Sequence, residues 1–166
     1  TGLVLRVIVS EVPNIDMLAL PPAVHQTLDL RDGLVLVTGA TGSGKSTSLA
    51  AMFDKINRTR AENIITVEDP IEFTHQNIKS LIVQREVGKD TDTFASDLKG
   101  ALRHDPVIIF MGELRAYETI SMALTAAETG HLVFRTLHTH GAPETINLQV
   151  DAFPPDEQSK TQAQLS

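Results

Sequence analysis

Cysteine and tryptophan are both absent from this chain of 166 residues, and it holds a single tyrosine. Without cysteine there is no disulfide and no thiolate metal site, a pattern in keeping with a reducing compartment. Six phenylalanines supply nearly all the aromatic content, so the core has to be mostly aliphatic. Basic residues are also short: 14 Lys and Arg stand against 21 Asp and Glu, a formal charge of −7. That balance argues against a broad nucleic-acid-binding face and leaves room only for a local basic patch. No apolar run approaches the ~20 residues of a membrane-spanning segment, and no signal peptide is visible, so a cytoplasmic location is the default expectation. What is present, 42% hydrophobic and 21% charged residues, is an ordinary globular mixture. The length suits one domain, which at this size buries roughly 70% of its unfolded surface.

The chain begins at Thr1 and enters at once a strand-like stretch over residues 3–9, and it stops inside the helix-like "DEQSKTQAQLS". Both ends read as cuts, so a fragment of a longer protein is expected. Pro13, Pro21 and Pro22 mark a connecting arm. A short helix is expected over Val24–Leu30, then a strand over Leu34–Thr38. The spacing of Leu49, Met52, Phe53 and Ile56 predicts a helix from Gly44 to about Thr59. Further strands are expected at 63–67, 80–84, 107–111 and 131–137. Helices are expected around Phe94–Leu102 with Thr91 or Asp92 as N-cap, around Ile120–Ala127 closed by Gly130, and from Pro143 to about Val150. Strands that alternate with helices, several of them apolar throughout, predict an α/β domain whose largely parallel sheet has helices on both faces.

Behind the strand Leu34–Thr38 stands "GATGSGKST", Gly39 to Thr47. Gly39, Gly44, Lys45 and Ser46 satisfy G-x-x-x-x-G-K-[ST], and the flanking strand and helix supply the context that the pattern requires. Glycines at 39, 42 and 44 let the backbone turn so that successive N–H groups, including those near Thr41, Ser43 and Thr47, converge on phosphate oxygens. The following helix points its N-terminus, worth about +0.5 charge, at the same place. Lys45 would reach the β- and γ-phosphates, and Ser46 would offer its hydroxyl to Mg²⁺. The competing reading, a glycine-rich turn with a solvated lysine, leaves the agreement of pattern, strand and helix unexplained.

Open α/β sheets bind ligands beyond the carboxyl ends of their strands. Two acidic groups fall there: "VEDPIE", with Glu68, Asp69 and Glu72, and "GE", with Glu113. Hydrolysis needs one carboxylate near Mg²⁺ and another to polarise the attacking water; beside a phosphate loop that role outweighs helix caps or solvated charge. His131 and His138 flank a strand, so one belongs to the core and one to the site, or both are structural. Arg85, Arg103 and Arg115 lie near element ends, where each is either a finger toward a neighbouring subunit's phosphate or a surface ion pair.

"GLVLVTGATGSGKST", "IITVEDPIEF", "QREVG", "ETISMALTAAETGHLVF" and "TLHT" together resemble the secretion ATPases of type II and type IV pilus systems. The resemblance runs from about Leu3 to Ser166. Lack of the tetracysteine zinc element of the extension branch points to the retraction branch of twitching motility. The resemblance implies a P-loop NTPase with a RecA-like ATPase core over residues 31–166, preceded at 1–30 by the remnant of an N-terminal domain and its linker, which holds Arg6. It implies ATP and Mg²⁺ as ligands, a homo-oligomer that is a hexamer in full-length relatives, and an inner-membrane pilus platform protein as partner. It implies that Glu72 activates water, that Glu113 acts near Mg²⁺, and that His131 and His138 are the two histidines of the histidine box.

Some positions depart from the family pattern. Val107 stands where an acid is usual, Ala116 follows Arg115 in place of an aspartate, and Arg135 replaces a glycine beside the histidine box. His140-Gly141 and Ile146-Asn147-Leu148 also differ. A long cation at 135 is expected to enter a tight site. Two function classes follow: an ATP-hydrolysing motor core, or a nucleotide-binding module with little hydrolysis. A fragment that assembles with a larger ATPase is a third.

Overall fold

The computed structural model describes residues 11–90, 108–112, 117–139 and 141–165. The expected strand at 3–9, the expected helix at 94–102, and Arg6, Arg103, Val107, Glu113, Arg115, Ala116 and His140 lie outside those residues. Pro22–Thr27 is a short helix, α1, entered through proline, whose fixed φ suits a first turn. Then come β1 (Gly33–Thr38), α2 (Lys45–Thr59), β2 (Asn63–Glu68) and β3 (Leu81–Glu86). They are followed by β4 (Ile108–Met111), α3 (Tyr117–Glu128), β5 (Leu132–Leu137), α4 (Ala142–Asp151) and α5 (Pro155–Leu165).

The five described strands form one sheet in the order β1-β5-β4-β2-β3, parallel at every junction. Thr38 sits beside Leu137, and Met111 lies level with both Val67 and Arg135, so the carboxyl ends of the strands collect on one rim. Period-two alternation divides the side chains between two cores. Ile64, Ile108, Phe110, Leu132 and Phe134 face α2, where Leu49, Met52, Phe53 and Ile56 close over them. Ile109, Met111 and Val133 face the other way, onto Ala123 and Ala126 of α3. Each large side chain so buried contributes about 1.5–3 kcal/mol. The expectation of a parallel α/β sheet covered on both faces is borne out.

Strand β3 runs two residues beyond its expected end. Arg85 and Glu86 break the apolar run, yet Arg85 pairs with Val67 and Glu86 with Glu68, and the ladder outweighs their charge. Residues before β1 share the same core, with Ile15 and Leu28 buried against α2. Arg60, just past α2, donates to the carbonyls of Leu28 and Leu30 at 2.9 and 2.7 Å and pairs with Glu62, fastening that arm. Helix α3 ends at Gly130, whose φ of +94° only glycine adopts readily, and His131 N–H returns to Ala126 O at 3.1 Å.

Candidate functional site

The chain leaves β1 at Thr38 and turns back through Gly39, Gly42 and Gly44, with φ of +148°, +78° and +90°. Gly44 is the N-cap of α2, so the helix begins at Lys45 with its first amides directed into the loop. A Cβ at Gly39 would lie 2.6 Å from Ser43 Oγ, so that hydroxyl would have to turn away. Lys45 Nζ donates to Gly39 O at 2.7 Å and Ala40 O at 2.9 Å, and lies 3.4 Å from His138 Nδ1. The ammonium is thus held over its own loop, next to the histidine that follows β5.

Above the rim lies a cavity of about 460 Å³. Thr41, Gly42, Gly44, Lys45, Ser46 and Thr47 form one wall; Glu68, Asp69, Pro70, Glu72, Phe73 and His75 form the other. Gly112, Thr136 and His138 close the rim between them. Gly39 and Ser43 belong to the loop but do not line the cavity. Glu113, outside the described residues, follows directly on Gly112.

The carboxylate wall is built by polar side chains rather than by ladder bonds. Glu68 Oε1 accepts from Thr66 Oγ1 at 2.7 Å and Gln84 Nε2 at 3.2 Å, and the Glu72 backbone N–H also bonds its carboxylate. Burial nevertheless outweighs these bonds and pushes the Glu68 carboxyl above its ordinary range. His75 stands edge-on to Phe53 with ring centroids 6.4 Å apart. Burial there pushes its imidazole below the usual 6.5, partly opposed by Asp54. Near Lys45 the wall thus offers carboxylate oxygens, and toward Phe53 and Phe110 it becomes aromatic.

Of the two histidines, His138 reaches the cavity and His131 does not. His131 directly precedes β5 on the opposite rim, seven residues and roughly 23 Å away at strand pitch. Its Nδ1 lies 3.0 Å from Ala126 O and 3.3 Å from Thr129 Oγ1, clasping the end of α3 to the sheet.

Arg135 differs from its expected place. Thr136 and His138 point to the cavity, so alternation sends Arg135 through the sheet to the α3 face. There it is 1% exposed, and its Nη1 donates to the equally buried Gln149 Oε1 of α4. Arg135 does not enter the cavity beside Lys45; it ties β5 to α4 instead.

Gln84 and Asn57 were not legible as site residues. Asn57 is 1% exposed on α2. Its Nδ2 donates to Gln76 O at 2.7 Å, and its Oδ1 accepts from Ile78 and Ser80 N–H, both at 3.1 Å. One signal was available: Asn57 follows Leu49 and Phe53 at helical spacing, a polar group on the apolar stripe.

A parallel sheet, a glycine loop between β1 and α2, and carboxylates on the strand that lies two places from β5 define a RecA-like P-loop NTPase fold. The chain belongs to the type II/IV secretion system protein family, whose model matches residues 2–150. It is 53% identical over 165 residues to the type IV pilus retractation ATPase PilT of Pseudomonas aeruginosa, covering 99% of this chain and 48% of that protein. A twitching motility protein of Neisseria gonorrhoeae is 53% identical over 163 residues, covering 98% and 44%. The crystal structure of the pilus retraction motor PilT with bound ADP superposes with a TM-score of 0.93 at 51% identity, covering 96% of this chain and 47% of that one. The Legionella pneumophila ATPase DotB gives 0.90 at 37% identity, covering 96% and 45%. The chain therefore spans about half the length of the relatives it matches.

Proposed function

We propose that this chain is the ATP-binding and ATP-hydrolysing core of a pilus-retraction motor of twitching motility. The observation that carries this reading is the cavity in which the phosphate loop, Glu68, Glu72, Gly112 and His138 meet. The retraction motor with bound ADP, similar over 96% of this chain, supports the choice of nucleotide. In this reading the amides of residues 41–47 cradle the phosphates, and Lys45 moves from the carbonyls of Gly39 and Ala40 to the β- and γ-phosphates. Glu72 takes a proton from the attacking water, and His138, beside Lys45, faces the terminal phosphate.

Ser46, Glu68 and Glu72 bring hard oxygen donors to one cavity, a donor set that fits Mg²⁺, and Glu113 is the next residue in the chain after Gly112 of its rim. No group of three His, Cys, Asp or Glu side chains placed to hold a metal ion by themselves exists among the described residues. Bound there, Mg²⁺ would offset charge on the phosphate oxygens. Ser46 and Glu113 would hold it, directly or through water.

The same reading makes the protein a subunit of a homohexamer, working in the cytoplasm on the pilus platform protein of the inner membrane. No helix among the described residues is long and apolar enough to cross a membrane. His131, on the far rim, serves here as the clasp between α3 and β5.

Titration with labelled ATP and ADP in Mg²⁺, followed by phosphate release from the full-length protein, tests the proposal. Lys45→Ala should weaken binding at least tenfold, while Glu72→Gln and Glu113→Gln should bind and not turn over. Absence of nucleotide binding by the wild type would overturn the whole reading; equal phosphate release by Glu113→Gln would overturn the role of that glutamate.

A further inference from the structure

Residues 69–80, the loop that carries Glu72 past the phosphate cradle, are held in place by side chains from a neighbouring strand. Ile82, Gln84 and Glu86 alternate along β3 and face the α2 side of the sheet. Glu86 Oε2 accepts the Ile71 N–H at 3.1 Å, one residue before Glu72. Gln84 Nε2 donates to Phe73 O at 2.8 Å, one residue after it, and Gln84 Oε1 accepts the His75 N–H at 2.8 Å. The same Nε2 reaches Glu68 Oε1 at 3.2 Å, and Glu68 in turn takes the N–H of Glu72 itself.

We propose that Gln84 is a positioning residue for Glu72, fixing its backbone at the reach from the phosphate loop that hydrolysis requires. The inference rests on the hydrolytic reading of the cavity given above. Its chemistry is specific to a neutral amide. One group must accept from an N–H while donating to a carbonyl and to a carboxylate, which neither a carboxylate nor an ammonium can do. Glutamate at 84 is nearly isosteric, but it turns an oxygen toward Phe73 O and Glu68, and the loop is pushed away. Gln84 stands behind the cavity wall and makes no described bond to residues 39–47, so nucleotide affinity does not depend on it. Turnover does, because a displacement of about 1 Å at a catalytic group costs on the order of 10²-fold in rate.

The test compares the full-length wild type with Gln84→Glu, Gln84→Met and Glu72→Gln, reading kcat, KM, the Kd for ADP and the melting temperature. Both Gln84 variants should lose at least tenfold in kcat while Kd and KM stay within about twofold and the fold remains intact at the assay temperature. If Glu72→Gln is inactive and both Gln84 variants turn over normally, the positioning role is overturned and the role of Glu72 stands. If Kd rises in step with the fall in kcat, Gln84 merely supports the fold and the proposal fails. If the wild type releases no phosphate, or if Glu72→Gln matches it, the hydrolytic reading fails and takes this inference with it.

Discussion

Gly39 illustrates how much a single position can fix in the loop. Its φ of +148° is backbone that L side chains rarely adopt, and a Cβ at this position would also displace the Ser43 hydroxyl, 2.6 Å away. Strain of this kind costs about 1–3 kcal/mol, and it falls on the backbone that shapes the phosphate cradle. Gly39→Ala should therefore weaken nucleotide binding about tenfold or more in a titration with fluorescent ADP. Arg135 makes the opposite case, a side chain whose role follows from which way its strand turns it. Removing it restores nothing in the cavity and leaves Gln149 buried without the guanidinium. Arg135→Gly should lower stability by about 3 kcal/mol or more, read by urea denaturation, with no rise in turnover.

Elements, more than residues, decide how far the sequence could be read. Apolar runs at β2, β4 and β5 and the 3.6-residue stripe of α2 are direct consequences of burial, so these elements lay close to their expected limits. The phosphate loop was legible because its chemistry is local: strand, glycines, lysine and helix follow one another in the chain. Glu68 and Glu72 could be placed on the ligand rim for the same reason. The grip on their loop was not legible, since Gln84 and Asn57 act across roughly ten to twenty residues and nothing local marks an amide as a clamp. Alternation in β5 was readable in principle, yet without its pairing register the side of the sheet taken by Arg135 could not be known. Asn57→Leu tests the clamp from α2: it strands Gln76 O and the N–H groups of Ile78 and Ser80. At about 1 kcal/mol or more for each group, the loss should reach about 3 kcal/mol, a fall of roughly 6–12 °C in melting temperature.

At the scale of the whole molecule, the wall of one cavity holds two half-buried titrating groups of opposite sign, Glu68 and His75. His75 is held below 6.5, so the unfolded chain takes up its proton first, and stability falls as pH drops from 6.5 toward the folded value. Glu68 is held above 4.5, so its contribution is greatest below 4.5 and is lost as pH rises through the folded value. Denaturation midpoints followed across this range should tilt in opposite directions in the two variants. His75→Gln should lose part of the acid-side fall, and Glu68→Gln part of the fall on raising pH. Parallel curves for wild type and both variants would show that neither group is desolvated in solution.

The sheet order also governs biosynthesis. Strand β1 has β5 as its one neighbour among the described strands, with Gly33 level with Leu132, about a hundred residues later. Such non-local pairing folds slowly, and a ribosome adding ~5–20 residues per second needs several seconds to bring the second strand out. Until then the glycine turn hangs from an unpaired ribbon. A nascent chain released before residue 137 should be retained by chaperones and fail to bind to an ADP resin, although every residue of its phosphate loop has already been made.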